Sequence, residues 1–82
     1  MKISGRFTME VGRLSVGEIE RDIRRLCFTK GVECELRRDI GWIDGYLHIT
    51  LRSADPEGFR DVLEELQVAY GRRGALKNEE AP

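Results

Sequence analysis

Residues 45–63 read GYLHITLRSADPEGFRDVL, and the period of the hydrophobic pattern changes inside that stretch. From Tyr46 to Arg52 it alternates, with Leu47, Ile49 and Leu51 on one side and Tyr46, His48, Thr50 and Arg52 on the other. That is the period of a strand with one buried face. At Asp55-Pro56 the pattern switches. Asp is a strong helix N-cap because its carboxylate accepts from an orphan amide of the first turn, and proline suits the first helical position because its fixed φ is already helical. Phe59, Val62, Leu63, Leu66 and Tyr70 then recur at spacings of three and four, which predicts a helix running to about Gly71. A strand with one apolar face followed by a helix with one apolar stripe calls for a two-layer α+β packing.

The same alternation and periodicity extend upstream. In residues 2–12, Ile3, Phe7, Met9 and Val11 oppose Lys2, Arg6, Thr8 and Glu10, with Gly5 interrupting the inner row, so this is a half-buried strand. Ser15 and Glu18 have the spacing of a capping box, which predicts a helix from Val16. Val16, Ile19, Ile23, Leu26 and Cys27 form its apolar stripe, and Gly31 can supply a left-handed stop after Lys30. Val32, Cys34 and Leu36 alternate with Glu33, Glu35 and Arg37 in a second strand. If even-numbered residues of this strand and odd-numbered residues of the next share the core face, opposed residue numbers sum to an odd value and the loop between them holds an even number of residues. A two-residue Asp44-Gly45 turn satisfies this and would set Ile40 and Trp42 on the core face, with Arg38 as the exception. A longer loop around residues 39–44 also satisfies it and is favoured.

The element order is therefore β-α-β-β-α. It predicts an α+β fold: a three-stranded antiparallel sheet with two helices packed on one face. A right-handed crossover sets the third strand between the first and second, as in a ferredoxin-like unit lacking the last strand. The first strand is then an edge, which invites pairing with another chain. The domain is expected over residues 1–71. Residues 72–82, with Gly74, Glu79-Glu80 and no apolar periodicity, read as a disordered C-terminal tail.

With 82 residues, there is room for one domain and one core, which excludes a multi-step enzyme with its own cofactor domain. Charged residues make up 35% of the chain, yet 14 basic against 15 acidic side chains leave a net charge of -1 and no overall pull toward nucleic acid or an anionic membrane. No apolar run has the length of a membrane span, and Met1 to Arg6 lacks the pattern of a signal peptide, so a cytoplasmic protein with no membrane contact is expected. Cys27 and Cys34 are too few and too far apart for a metal knuckle and are expected to be reduced core residues.

Little in the chain points to catalysis. His48 is the one histidine, it belongs to the outer sheet face, and both cysteines fall on core-facing positions, so it has no nucleophile beside it. One imidazole does not make a metal site. No catalytic, cofactor-binding or metal-binding residue is expected, and the function reads as non-enzymatic. Residues 45–51 echo an RNA-recognition strand, which makes Tyr46, His48 and Arg52 the RNA contacts of an alternative reading. The first strand offers no aromatic residue outward, however, and Glu33 and Glu35 repel phosphate, so direct nucleic-acid binding should be weak or absent. Arg21, Arg24 and Arg25 could grip an RNA backbone but are interleaved with Glu18, Glu20 and Asp22, as on a solvated helix face. The candidate partner contacts are Arg6, Thr8 and Glu10 on the first strand, Phe28 and Val68 off the helical stripes, and Trp42.

Residues 47–60, Leu-His-Ile-Thr-Leu-Arg-Ser-Ala-Asp-Pro-Glu-Gly-Phe-Arg, resemble the small dimerisation subunit of the KEOPS complex. That family has about this length and this element order, with a small residue and Asp before the last helix and an apolar-Arg pair four and five residues later. Asp55, Phe59, Arg60 and Leu63 fall at those positions. The likeness covers most of the chain by pattern and residues 47–63 by motif. It implies an accessory subunit of the machinery that makes N6-threonylcarbamoyladenosine in tRNA, one that forms a homodimer, or a heterodimer with a paralogue, and docks the catalytic subunit through its helices. Where the family continues Asn-Ser-aromatic-Leu-Arg-Trp, this chain has Glu64-Glu65-Leu66-Gln67-Val68-Ala69, a charged surface. That departure implies a diverged paralogue that pairs with the dimerising subunit without holding the catalytic one. A stand-alone interaction protein, such as a phage-encoded inhibitor, is the third reading.

Overall fold

The computed structural model describes residues 2–71 and 77–79. Strand β1 (Ile3–Glu10) is followed by helix α1 (Val16–Lys30), the hairpin of β2 (Glu33–Ile40) and β3 (Gly45–Ser53), helix α2 (Pro56–Tyr70) and a short strand β4 (Lys77–Glu79). The sheet order is β2-β3-β1-β4, with β3 antiparallel to both β2 and β1. β1 and β2 are thus parallel with β3 between them, the ferredoxin-like arrangement expected of the α1 crossover. No helix among the described residues is long and apolar enough to cross a membrane.

One finding adds to this architecture. Residues 77–79 pair with β1 through Arg6↔Glu79, Phe7↔Asn78 and Thr8↔Lys77, so the last strand expected to be lacking is present in short form. The expected free edge on β1 is corrected over Arg6–Thr8, and the disordered tail is corrected for residues 77–79; the rest of 72–82 lies outside the described residues. An edge strand needs only unpaired backbone groups to pair with, so Lys77–Glu79 can form one without apolar alternation.

The core lies between one sheet face and the helices. Phe7, Met9, Val11, Leu47, Ile49 and Leu51 from the strands meet Val16, Ile19, Ile23, Cys27, Val62 and Leu66 from the helices, all buried. Arg38 shares the parity of the core face but lies at the sheet margin, exposed, where its guanidinium clasps the Glu20 carboxylate of α1 through Nε at 2.9 Å and Nη2 at 2.6 Å. That hydrogen bond holds the Glu20 carboxyl below its usual range.

Local signals fix both helix ends at the far side of the sheet. Gly31 takes φ 69°, and the amides of Gly31 and Val32 bond to the carbonyls of Phe28 and Cys27 in a Schellman closure. Asp55 caps α2 by accepting from the Glu57 amide at 3.1 Å. At the other end, the expected capping box is absent: Ser15 makes no side-chain cap bond. Its backbone is already near-helical (ψ -16°) because Gly12 to Ser15 form a turn closed by the Ser15 and Val16 amides on the Gly12 carbonyl.

The hairpin keeps the required parity, with Ile40 opposite Gly45 and a four-residue loop from Gly41 to Asp44. The two-residue alternative is thereby excluded, and Trp42 leaves the core face for the loop tip.

Candidate functional site

Strand direction brings two loops to one end of the sheet. β1 ends there in Glu10, β2 ends there in Ile40, and β3 begins there at Gly45. The loop from β1 to α1 is tied to the hairpin loop by the Arg13 guanidinium, which donates to the Gly41 carbonyl at 3.0 Å. The Val11 amide donates to the Gly45 carbonyl at 2.8 Å. Leu14, Trp42 and Ile43 protrude from these two loops at 99%, 98% and 94% exposure. Ile43 also borders a shallow depression with Glu10, Val11, Gly12 and Gly45. A large apolar side chain at such exposure is unfavourable in water unless something covers it, and three at one end of a small domain form an apolar tip.

Trp42 was legible as a candidate contact, whereas Leu14 and Ile43 were not singled out from the sequence. The available signal was an apolar residue inside a polar loop. Phe28, 88% exposed, lies near the C-terminal end of α1, at the opposite end of the molecule from the tip. Val68, 80% exposed, stands on the outer side of α2 among Glu64, Glu65 and Gln67, so the charged helix surface expected there is present. The structure does not join Phe28 to Trp42 in one patch.

The outer sheet face is uncovered among the described residues and organised in rows across the strands. Glu33, Arg52 and Ser4 form one row; Glu35, Thr50 and Arg6 the next; Arg37, His48 and Thr8 the third; Asp39, Tyr46 and Glu10 the last. A depression of about 540 Å³ follows the middle two rows. His48 Nδ1 shares a hydrogen bond of 3.2 Å with Thr8 Oγ1, and its Nε2 lies 3.9 Å from Asp39. Lys2 bonds Glu33 at 2.9 Å and holds that carboxyl below its usual range. The RNA candidates Tyr46, His48 and Arg52 do share this face. Tyr46, however, sits between two carboxylates, and Lys2, Arg6, Arg37 and Arg52 are matched in number by Glu10, Glu33, Glu35 and Asp39. Such a balance gives phosphate no net attraction.

The thiols lie under the sheet. Cys27 is buried, and its pKa is pushed up to about 12, first by burial and then by the neighbouring Cys34 thiol. A thiol held protonated in this way is a poor nucleophile. No group of three or more His, Cys, Asp or Glu side chains converges among the described residues.

No protein-family model matches the chain, and none of the curated proteins matches it in sequence. Solved structures do. The de novo designed protein Foldit4 aligns over 100% of both chains with a TM-score of 0.80 at 11% identity. The de novo designed protein Ferredog-Diesel aligns over 98% of this chain and 85% of its own with a TM-score of 0.62 at 14% identity. At such identities the likeness is one of fold, and what it establishes is a ferredoxin-like α+β architecture.

Proposed function

We propose that this chain is a non-catalytic protein–protein interaction subunit acting in the cytoplasm, and that the tip bearing Leu14, Trp42 and Ile43 is its docking end. The near-complete exposure of those three side chains at one end of the sheet carries the reading. The chemistry of the rest supports it. The one histidine is engaged by Thr8 and faced by Asp39, the more buried thiol is held protonated, and the outer sheet face balances its charges.

The partner class follows from the resemblance of residues 47–63 to the KEOPS dimerisation subunit: a paralogous dimerising subunit of that tRNA-modifying complex, engaged without the catalytic subunit. The acidic outer side of α2, with Glu64 and Glu65 exposed, fits that restriction, since an apolar helix surface for the catalytic subunit is replaced by carboxylates.

Trp42 is the only tryptophan, so a partner free of tryptophan can be titrated in while its emission is followed. Docking at the tip shifts the emission to the blue, and the double variant Trp42→Phe with Ile43→Ser weakens binding. No complex with purified KEOPS subunits refutes the partner class. A complex of undiminished affinity in the tip variant refutes the docking end.

A further inference from the structure

The two sheet edges are unequal. β4 covers the middle of β1, whereas β2 stands at the end of the order β2-β3-β1-β4 and, among the described residues, pairs with β3 alone. The phase of its ladder is fixed by the Gly41 amide, which donates to the opposed Asp44 carbonyl at 2.8 Å. Hydrogen-bonded and non-bonded pairs alternate in an antiparallel ladder, so Glu33, Glu35, Arg37 and Asp39 turn their backbone groups toward β3. Cys34, Leu36, Arg38 and Ile40 turn theirs outward. An eight-residue strand with one bare edge is a template for another strand.

The charges on β2 decide which strand fits. Glu33 is bonded to Lys2, Arg38 to Glu20, and Asp39 lies 3.9 Å from His48. Glu35 and Arg37 are both exposed and make no ion pair among the described residues. They flank Leu36, the central outward-facing position. We propose that the chain forms a two-fold homodimer by antiparallel pairing of β2 with β2 of a second copy, Leu36 opposite Leu36.

In that register Glu35 of each copy faces Arg37 of the other, twice per dimer, and the outward backbone groups of Cys34, Leu36 and Arg38 are satisfied. Moving the register by two residues in one direction sets Glu35 opposite Glu35 at the axis and leaves Arg37 facing Glu33, which Lys2 of its own chain already engages; in the other direction it sets Arg37 opposite Arg37 and Glu35 opposite Asp39. Moving it by one residue puts the helices of the two copies on opposite faces of the sheet. The favoured register opposes Glu33 to Asp39 at its ends, and these two carboxylates have Lys2 and His48 of their own chain beside them. The dimer does not use Leu14, Trp42 or Ile43, so it stands independently of the docking end.

Sedimentation equilibrium of the full chain over a concentration series, with amide exchange read at high and low concentration, tests this. The unmodified chain should show a monomer–dimer equilibrium, with exchange at Cys34, Leu36 and Arg38 slowing as concentration rises. Glu35→Arg alone and Arg37→Glu alone should each raise the dissociation constant by about tenfold or more, since two attractive pairs become repulsive. Mixing these two single variants should restore association, as should both substitutions in one chain, because each arrangement again opposes unlike charges. A monomer at every concentration overturns the proposal. So does a dimer indifferent to the single substitutions, or one whose exchange slows on β1 instead of β2.

Discussion

Substituting Gly58 by alanine should destabilise the domain even though the position lies in a helix. Alanine is favoured over glycine in a helix interior by up to about 1 kcal/mol, so the local expectation is a gain. The packing reverses it. A Cβ on Gly58 would lie 2.5 Å from the Lys30 carbonyl oxygen and 3.0 Å from Asp55 Oδ2. Carbon and oxygen normally approach to about 3.3 Å, so one helix must retreat by about 0.8 Å.

Neither neighbour yields readily. The carbonyl belongs to the last residue of α1, held by the left-handed Gly31 and by the bond from the Val32 amide to the Cys27 carbonyl at 2.8 Å. The carboxylate is the cap of α2, bonded to the Glu57 amide. Overpacking of this kind costs about 1–3 kcal/mol, and loosening the cap about 1 kcal/mol more. Set against the helix gain, the net loss is about 1–3 kcal/mol, and each kcal/mol lowers Tm by roughly 4–8 °C in a domain of this size. Urea and thermal unfolding followed by far-ultraviolet circular dichroism would measure it. Gly17→Ala is the matched control: there the added Cβ would meet only Arg38 Nη2, at 3.6 Å, and stability should hold or rise. If Gly58→Ala stabilises the protein as Gly17→Ala does, the close approach of α2 to the end of α1 is wrong.

Four further outcomes are expected. The Cys27 thiol, with a pKa raised from 9.0 to about 12, lowers stability as pH rises, because above about pH 9 the unfolded chain ionises it and the folded chain does not; urea midpoints should fall between pH 9 and pH 12, and less steeply in Cys27→Ala. In native protein at pH 8, thiol reagents should modify Cys34, which is half-buried, well before Cys27, and unfolding should equalise the two rates. Trp42 emission should move little on urea unfolding, since the side chain is 98% exposed when folded, and Trp42→Ser should change stability by less than about 0.5 kcal/mol. Ending the chain at Gly71 removes the backbone bonds between β4 and β1 but also the cost of ordering Lys77–Glu79, terms of about 1 kcal/mol each per bond or residue, so Tm should change by only a few degrees while amide exchange at Arg6 and Thr8 accelerates.

Alternation and helical spacing made five of the six elements readable, because each buries one face and the buried residues repeat with the period of the element. Asp55-Pro56 was legible for the same local reason. The Ser15 cap was not, since the Gly12–Ser15 turn had already put its backbone in a near-helical conformation. Parity constrained the hairpin without choosing the loop. The choice depends on β1: the site of a Gly45 Cβ lies 2.6 Å from the Val11 carbonyl oxygen, a close approach along the strand pair, and it places Gly45 at the start of β3 rather than in a turn. The tip escaped for a related reason, as the loops that carry Leu14 and Ile43 are tied to each other by the Arg13–Gly41 bond, whose partners are 28 residues apart.

The docking end and the β2 dimer together dictate a stoichiometry. Antiparallel pairing about a two-fold axis perpendicular to the sheet turns the second copy end for end. Each β2 runs from the central Leu36 through Ile40 into the Gly41–Asp44 loop. Gly41 lies five residues from the axis, and at about 3.4 Å per residue the two loops stand roughly 35 Å apart, at opposite ends of one continuous sheet. Trp42 of one copy therefore cannot cover Trp42 of the other, and the dimer does not bury its own apolar tips. Two partners should bind per dimer, one at each end, with equal affinity, because at that separation neither touches the other's site. Sedimentation velocity of the saturated complex, with a partner of known mass, distinguishes two bound partners from one. A single partner per dimer would mean that the two tips converge, which the β2 register forbids. Partner binding that survives Glu35→Arg, with one partner on each chain and the complex then half the size, would confirm that the tip works without the dimer.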